Sequence, residues 1–277
     1  MVEILTTEHP LSVRRACRVV GLARAAWYRP PQAAAVRDGP VIEALQQVVR
    51  EDSRWGFWKC FDRLRLLGHR WNHKRVWRVY RGLRLNLPRR TRRRVPPRVR
   101  QPLIAPLRTN AMWAMDFMHD ALYGGRPFRT LNVLDEGNRE ALAIEVGTAL
   151  PSGRVIRVLE QLIALYGRPA ALRLDNGPEL TAQAFTEWCR ARQIAVHYIQ
   201  QGKPTQNAFI ERFNRTYREE VLDAYLFESL DEVQRLTDEW LTRYNTVRPH
   251  DALGRVPPLT YLPREISPPE STNPWST

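Results

Sequence analysis

From Trp113 onwards the apolar residues come in short runs. WAMDFMHDAL, FRTLNVLD and EALAIEV are three such segments, separated by turn-forming residues, and they predict consecutive strands in a meander. Over residues 152–166 the period changes. Val155, Val158, Leu159, Leu162 and Ile163 recur at helical spacing between Ser152 and Gly167, which predicts a helix with a serine cap and a glycine stop. A strand AALRL, a helix at about 180–192, a strand AVHYI and a helix through NAFIERFNRTYREE follow. In the last of these, Phe209, Ile210, Phe213, Tyr217 and Val221 form the apolar stripe and Glu211 lies off it. The order of three strands, helix, strand, helix, strand, helix predicts a mixed α/β domain. Leu230 to Tyr244 is again helical in pattern, with Val233, Leu236, Trp240 and Leu241 on one side, before the proline-rich RPHDALGRVPPLTYLP and a tail.

The N-terminal part has a different texture. LSVRRACRVVGLARAAWYR, residues 11–29, predicts two short helices broken at Gly21, the second entered through Ala23; this resembles a helix-turn-helix, and an ordinary helical hairpin fits it equally. Three helical segments follow the Pro30-Pro31 break, at about residues 40–51, 57–67 and 73–83. The third interleaves Val76, Trp77, Val79 and Tyr80 with Lys74, Arg75, Arg78 and Arg81, as expected of a DNA-binding module or of a bundle with a solvated basic face. Residues 87–102 then carry Arg89, Arg90, Arg92, Arg93 and Arg94 among their seven arginines, with four prolines. Proline blocks regular helix, so this stretch reads as an extended linker whose arginines can each engage a phosphate.

Charge narrows the class of partner. The 277 residues carry a formal net charge of +14, and the isoelectric point is about 10.5, so polyanions, nucleic acid first, are the expected partners. Nine tryptophans and 43% hydrophobic residues describe folded domains rather than a cationic tail. Three scattered cysteines give no disulfide framework and fit a reducing compartment; the His69 and His73 spacing lacks the cysteine pair of a zinc site. With neither a membrane-length apolar run nor a signal-peptide core, a soluble cytoplasmic protein is expected.

Three acidic residues then stand out. Asp116 interrupts the first strand between Met115 and Phe117, Asp175 follows AALRL and opens DNGPEL, and Glu211 lies on the late helix. Each has an ordinary reading: an edge-strand aspartate, a turn residue, and half of a surface pair with Arg215 worth a few tenths of a kcal/mol. Together, three carboxylates from two strands and a helix converge when an α/β domain closes, and hard oxygen donors suit Mg²⁺. Asp135 reads as structural and Asp120 as a turn or strand-end residue. His250 could face DNA or the active site, or be an internally satisfied histidine.

The order Asp116, Asp175, Glu211, with thirty-five residues between the last two and Arg218 seven beyond, resembles the DDE transposase and retroviral integrase superfamily. WAMDF, LDNGPEL, GKPTQNAFIERFNRTYREEVL and YNTVRPHDALG are similar to the integrase-like transposases of the insertion-sequence-three family; LDEGNRE departs from it at Gly137, where an aromatic or similar residue is common. The resemblance implies an RNase H-like core, a mixed five-stranded sheet with flanking helices, preceded by helix-turn-helix modules. It divides the chain into 1–37 and 38–86 as helical DNA-binding segments, 87–106 as linker, 107–225 as core, 226–262 as helical extension and 263–277 as tail. It also implies that Asp116, Asp175 and Glu211 bind two Mg²⁺ ions, with Mn²⁺ able to substitute. Arg218 would contact donor-end DNA, with Lys203, Asn207, Asn214 and Arg215 along the approach. The expected activity is cleavage and strand transfer at terminal inverted repeats, by a homo-oligomer on double-stranded DNA in the bacterial nucleoid, with an upstream-frame protein or fusion as a further partner. A nuclease that cuts without joining, and a non-catalytic DNA-binding regulator, are the alternatives.

Overall fold

The computed structural model describes residues 1–28, 34–88, 106, 108–200 and 207–264. The arginines at 89, 90 and 92–94, and Lys203, lie outside these residues. The chain forms two compact units, residues 1–47 with 72–85, and residues 48–71 with 86–277. These units do not follow the linear division at 38–86, because the second of the three helices in that segment groups with the α/β unit.

In the first unit, helices α1 (Val2–Thr7) and α2 (Val13–Val20) close on Val2, Ala16 and Cys17, with Leu5, Leu11, Val13 and Trp27 against them. Gly21 ends α2 at φ 68°, a left-handed conformation that glycine adopts at low cost, and the short α3 (Arg24–Trp27) follows through Ala23. Helix α4 (Ala34–Glu51) begins before the expected position and passes through Pro40. Its preceding turn is solvated, Val36 being 70% exposed, so water can serve the carbonyl that Pro40 leaves without a donor. After α5 (Phe57–Leu66) of the second unit, α6 (His73–Gly82) starts at Asn72, whose side chain accepts from the Lys74 N–H at 2.8 Å.

The second unit is built on one five-stranded sheet in the order β3-β2-β1-β4-β5. Strands β1 (Trp113–Ala121), β2 (Pro127–Asp135) and β3 (Ala141–Gly147) form the expected antiparallel meander, and β4 (Ala171–Leu174) and β5 (Ala195–Tyr198) add to β1 in parallel. Helix α7 (Ser152–Tyr166) has the expected span, but Pro151 is its cap residue; the Ser152 hydroxyl instead donates to the Glu179 carbonyl at 2.6 Å. The helix expected at 180–192 is two, α8 (Pro178–Thr181) and α9 (Gln183–Ala191), because Ala182 between them takes an extended ψ of 142°.

Alternation along β1 decides what each face of the sheet receives. Trp113 and Met115 point into a layer with Val155, Leu159, Phe185 and Cys189 of α7 and α9. Ala114 and Met118 point into the opposite layer, with Ile210, Phe213 and Tyr217 of α10 (Ala208–Tyr217) and Val233 and Tyr244 of α11 (Leu230–Thr246). Asp116 shares the parity of Ala114 and Met118, so it faces α10. The edge strand β3 is covered by α11: Asn245 pairs with both backbone groups of Ala141, at 2.9 and 2.8 Å, and Gln234 reaches Val146 N–H at 3.0 Å. A π-helical turn, Arg218–Leu222, continues α10. Beyond α11 come the 3₁₀ turn Asp251–Leu253 and α12 (Pro258–Tyr261).

The β2–β3 turn explains the unusual Gly137. A Cβ there would lie 2.2 Å from the Arg108 carbonyl oxygen, so only glycine allows the approach. Asp135 beside it is fully buried, accepting from the N–H groups of Gly137 and Asn110 at 2.8 Å each and from Arg264 at 2.7 Å.

Phe213 is 1% exposed and meets Tyr244 edge to face at 5.0 Å. Phe213→Ala is therefore expected to cost about 3–5 kcal/mol in urea unfolding, and a loss under about 1 kcal/mol would contradict this packing role.

Candidate active site

Asp116 lies opposite Asn132 in the β1–β2 register, so both side chains project from the same face at neighbouring positions. Asn214 of α10 meets them both. Its Nδ2 donates to Asp116 Oδ2 at 2.7 Å, and its Oδ1 accepts from Asn132 Nδ2 at 2.7 Å. Asp116 Oδ1 accepts from the Phe117 N–H at 2.9 Å, so both carboxylate oxygens are held by neutral donors. Asn132 was not singled out in the sequence; the signal available was an asparagine inside the apolar run LNVLD, which is costly to bury without a partner.

Asp175 lies just past β4, the neighbour of β1, and its Oδ1 accepts from the Gly177 N–H at 3.1 Å in an Asx-type turn. Glu211 stands on the first turn of α10, one residue from Ile210, which anchors the helix in the core. The Asp116 carboxyl is pushed up to about 6, first by burial and then by the charges of Asp175 and Glu211, against the Phe117 and Asn214 hydrogen bonds. The three carboxylates thus share one field, although among the described residues no group of three or more His, Cys, Asp or Glu is gathered at metal-holding distance.

Asp116 and Asp175 are half-buried and Glu211 is exposed. Among the described residues the fully buried acids each have an arginine: Asp38 has Arg75 and Arg78, Asp62 has Arg255, Asp135 and Glu140 share Arg264, and Glu136 has Arg173. Among the described residues, no lysine or arginine forms an ion pair with Asp116, Asp175 or Glu211, and the surface pair of Glu211 with Arg215 is not made. Carboxylates that share a field and have no ion-paired cation are chemically suited to hard divalent cations.

The remaining candidates are spread out. Arg218 donates to Asp120 Oδ2 at 2.9 Å and to the His119 carbonyl at 2.7 Å, tying the π turn to the end of β1. Asp120 is four residues from Asp116, about 13 Å along a strand. Arg215 is exposed, and Asn207 is buried with its Oδ1 unpartnered. Arg75 and Arg78 belong to the first unit, where Arg75 Nε and Arg78 Nη2 bind Asp38 at 3.0 and 2.7 Å; Lys74 is exposed. Glu179 pairs with Arg129, whose hydrogen bond holds its carboxyl below the usual range.

Two integrase core domain models match the chain, over residues 106–204 and 192–258. The 39.2 kDa protein of insertion element IS476 from Xanthomonas euvesicatoria is 37% identical over 259 residues, which span 92% of this chain and 73% of that protein. The 31.7 kDa protein of insertion element IS407 from Burkholderia multivorans is 36% identical over 252 residues, 91% of this chain and 90% of that protein. In fold, the chain is similar to one in the simian T-cell lymphotropic virus intasome solved with PP2A regulatory subunit B56 gamma, with a TM-score of 0.51 and 18% identity, covering 84% of this chain and 80% of that one.

Because the Asp116 carboxyl is raised from 3.8 to about 6, folding favours its protonated form, and its contribution to stability falls as pH rises between those values. Glu211→Gln removes one of the two charges that raise it. Carbon-detected NMR titration should find Asp116 near 6 in the parent and lower in Glu211→Gln; an unchanged midpoint would show that the two groups do not share a field.

Proposed function

Because the chain belongs to the integrase-core family of insertion-element proteins, transposase-type polynucleotidyl transferases, we propose that it binds the terminal inverted repeats of its element and performs both DNA cleavage and strand transfer. The observation that carries the reading is the trio Asp116, Asp175 and Glu211, electrostatically coupled at Asp116 and free of lysine or arginine partners among the described residues. The donor chemistry fits two Mg²⁺ ions, with Mn²⁺ as a substitute, and these three side chains would hold them. Such a pair, when bound, supplies charge neutralisation and Lewis-acid polarisation at the reacting phosphodiester.

The chain's own groups orient the site. Asn132 Nδ2 donates to Asn214 Oδ1, which turns the Asn214 amide so that its N–H meets Asp116 and fixes that carboxylate's rotation. The Asp175 turn sets the second carboxylate through Gly177. Helix α10 carries the third, and Ile210, Phe213 and Tyr217 lock it to the sheet. In the first displacement water attacks a phosphodiester at the element end and frees a 3′ hydroxyl. In the second, that hydroxyl attacks a target phosphodiester, forming one such bond as another breaks, so joining needs no external energy source. Arg215, Asn207 and Lys203 would line the DNA approach, with Arg89, Arg90, Arg92, Arg93 and Arg94 on the linker backbone track. Lys74, with Arg75 and Arg78 after exchange of Asp38 for phosphate, would serve the N-terminal unit, and Arg218 would reach donor DNA after exchanging Asp120. Synapsis of two ends calls for a homo-oligomer acting in the bacterial nucleoid, with an upstream-frame protein or fusion as partner. Among the described residues no helix is long and apolar enough to cross a membrane.

Incubation with labelled element-end DNA and Mg²⁺ separates the alternatives: joined products support transposition, cut products alone a nuclease, unchanged bound DNA a regulator. Asp116→Asn, Asp175→Asn and Glu211→Gln should each lower joining by several orders of magnitude while end binding persists. Efficient joining by any one of them would overturn the assignment.

A further inference from the structure

A cavity of 710 Å³ in the second unit has Glu211 on its wall and continues away from it between α5, the β2–β3 turn, α10 and the segment after α11. Its lining includes Lys59, Arg139, Arg212, Arg215 and Arg248 against Glu211, Glu219 and Asp251. Arg248 is satisfied by Glu220 at 2.9 Å, whereas Lys59, Arg139, Arg212 and Arg215 have no carboxylate within ion-pairing distance among the described residues. Two buried polar atoms on this lining are also without partners, Arg139 Nη1 and His250 Nε2. Arg139 is held in place by the Phe209 ring, its guanidinium 3.4 Å from the centroid, and His250 by Tyr244, edge to face at 4.6 Å.

Like charges gathered at a partly enclosed site repel, and their concentration is a cost to the fold unless an anion joins them. Burial, Arg248 and Lys59 push His250 down to about 2, so it is neutral and adds nothing to the repulsion. We propose that Lys59, Arg139 and Arg212 form a phosphate-binding pocket, and that its occupant is a backbone phosphate of the DNA strand engaged at Glu211. A phosphate supplies several acceptors and the opposite charge, matching guanidinium and ammonium donors on different elements. Proximity to Glu211 favours a polymer phosphate over a free one. The identity of the polymer rests on the DNA-joining reading; the anion site does not.

The test uses the full chain, with inorganic pyrophosphate as a probe in thermal unfolding and a DNA duplex titrated over a range of salt. Pyrophosphate should raise the melting temperature of the parent, and Lys59→Gln or Arg212→Gln should each remove at least half of that rise. Each should also lower the salt slope of duplex binding by about one, as loss of one phosphate contact does. Arg235→Gln, which breaks an exposed pair with Glu239, should change neither. Equal protection in parent and both variants overturns the pocket. Loss of protection with an unchanged salt slope overturns DNA as the source and assigns the pocket to a free phosphate compound. Asp116→Asn, run in parallel, keeps the pyrophosphate effect whether or not joining depends on it, so failure of the catalytic reading is seen separately.

Discussion

The hydrogen bond from Asn214 to Asp116 fixes the relation between β1 and the helix that carries Glu211. With the adjoining Asn132–Asn214 bond, it crosses a layer between the sheet and α10 whose packing is otherwise mostly apolar and carries little directional information. Apolar contacts between Ile210, Phe213 and the sheet hold the helix down, yet they tolerate small shifts along its axis. The amide chain from Asn132 through Asn214 to Asp116 does not, because each atom has one partner at 2.7 Å. It also treats the carboxylate unlike its counterparts elsewhere. Asp135, at the far end of the paired strand, is neutralised by Arg264, whereas Asp116 receives neutral N–H donors that orient it and leave its charge uncompensated.

Much of this was legible in the sequence, for a reason particular to α/β domains. Period-two and period-3.6 patterns gave the meander, α7, α10 and α11. Ala182 was not legible as a break, because alanine favours helix. Ser152 was misassigned as a cap because a serine before an apolar run is the usual signal, and here the Glu179 carbonyl of the neighbouring α8 captured its hydroxyl. Asn132 escaped notice since its role needs two pairings that are both non-local, one across the sheet and one to α10. The turn departure at Gly137 became intelligible only with the Arg108 carbonyl beside it.

A strongly basic composition does not identify which cations meet DNA, since many are used inside the fold. Arg264 and Arg248 are buried structural partners of acids, and Arg75, Arg78 and Arg218, all attractive in sequence, are held by Asp38 and Asp120. An arginine already bound to a carboxylate must release it before binding a phosphate, which discounts the exchange by the strength of the existing pair. Exposed Arg212 and Arg215 carry no such discount. The number of arginines sets the long-range attraction for a polyanion, and the distribution of carboxylates among them sets where that attraction is spent.

The acids of the trio make no ion pair among the described residues, each for a reason set by its own element. Asp116 is held by Asn214 of α10, itself fixed by Asn132 of β2, the β4 turn closes Asp175 on its own backbone, and Glu211 stands exposed, off the apolar stripe of α10. The ion pair that would have been simplest, Glu211 with Arg215 one turn on, is left open. Its Coulomb gain at an exposed helix surface is only a few tenths of a kcal/mol, too little to hold both side chains against solvent. That weakness leaves Glu211 free to turn toward Asp116, whose raised carboxyl registers its charge.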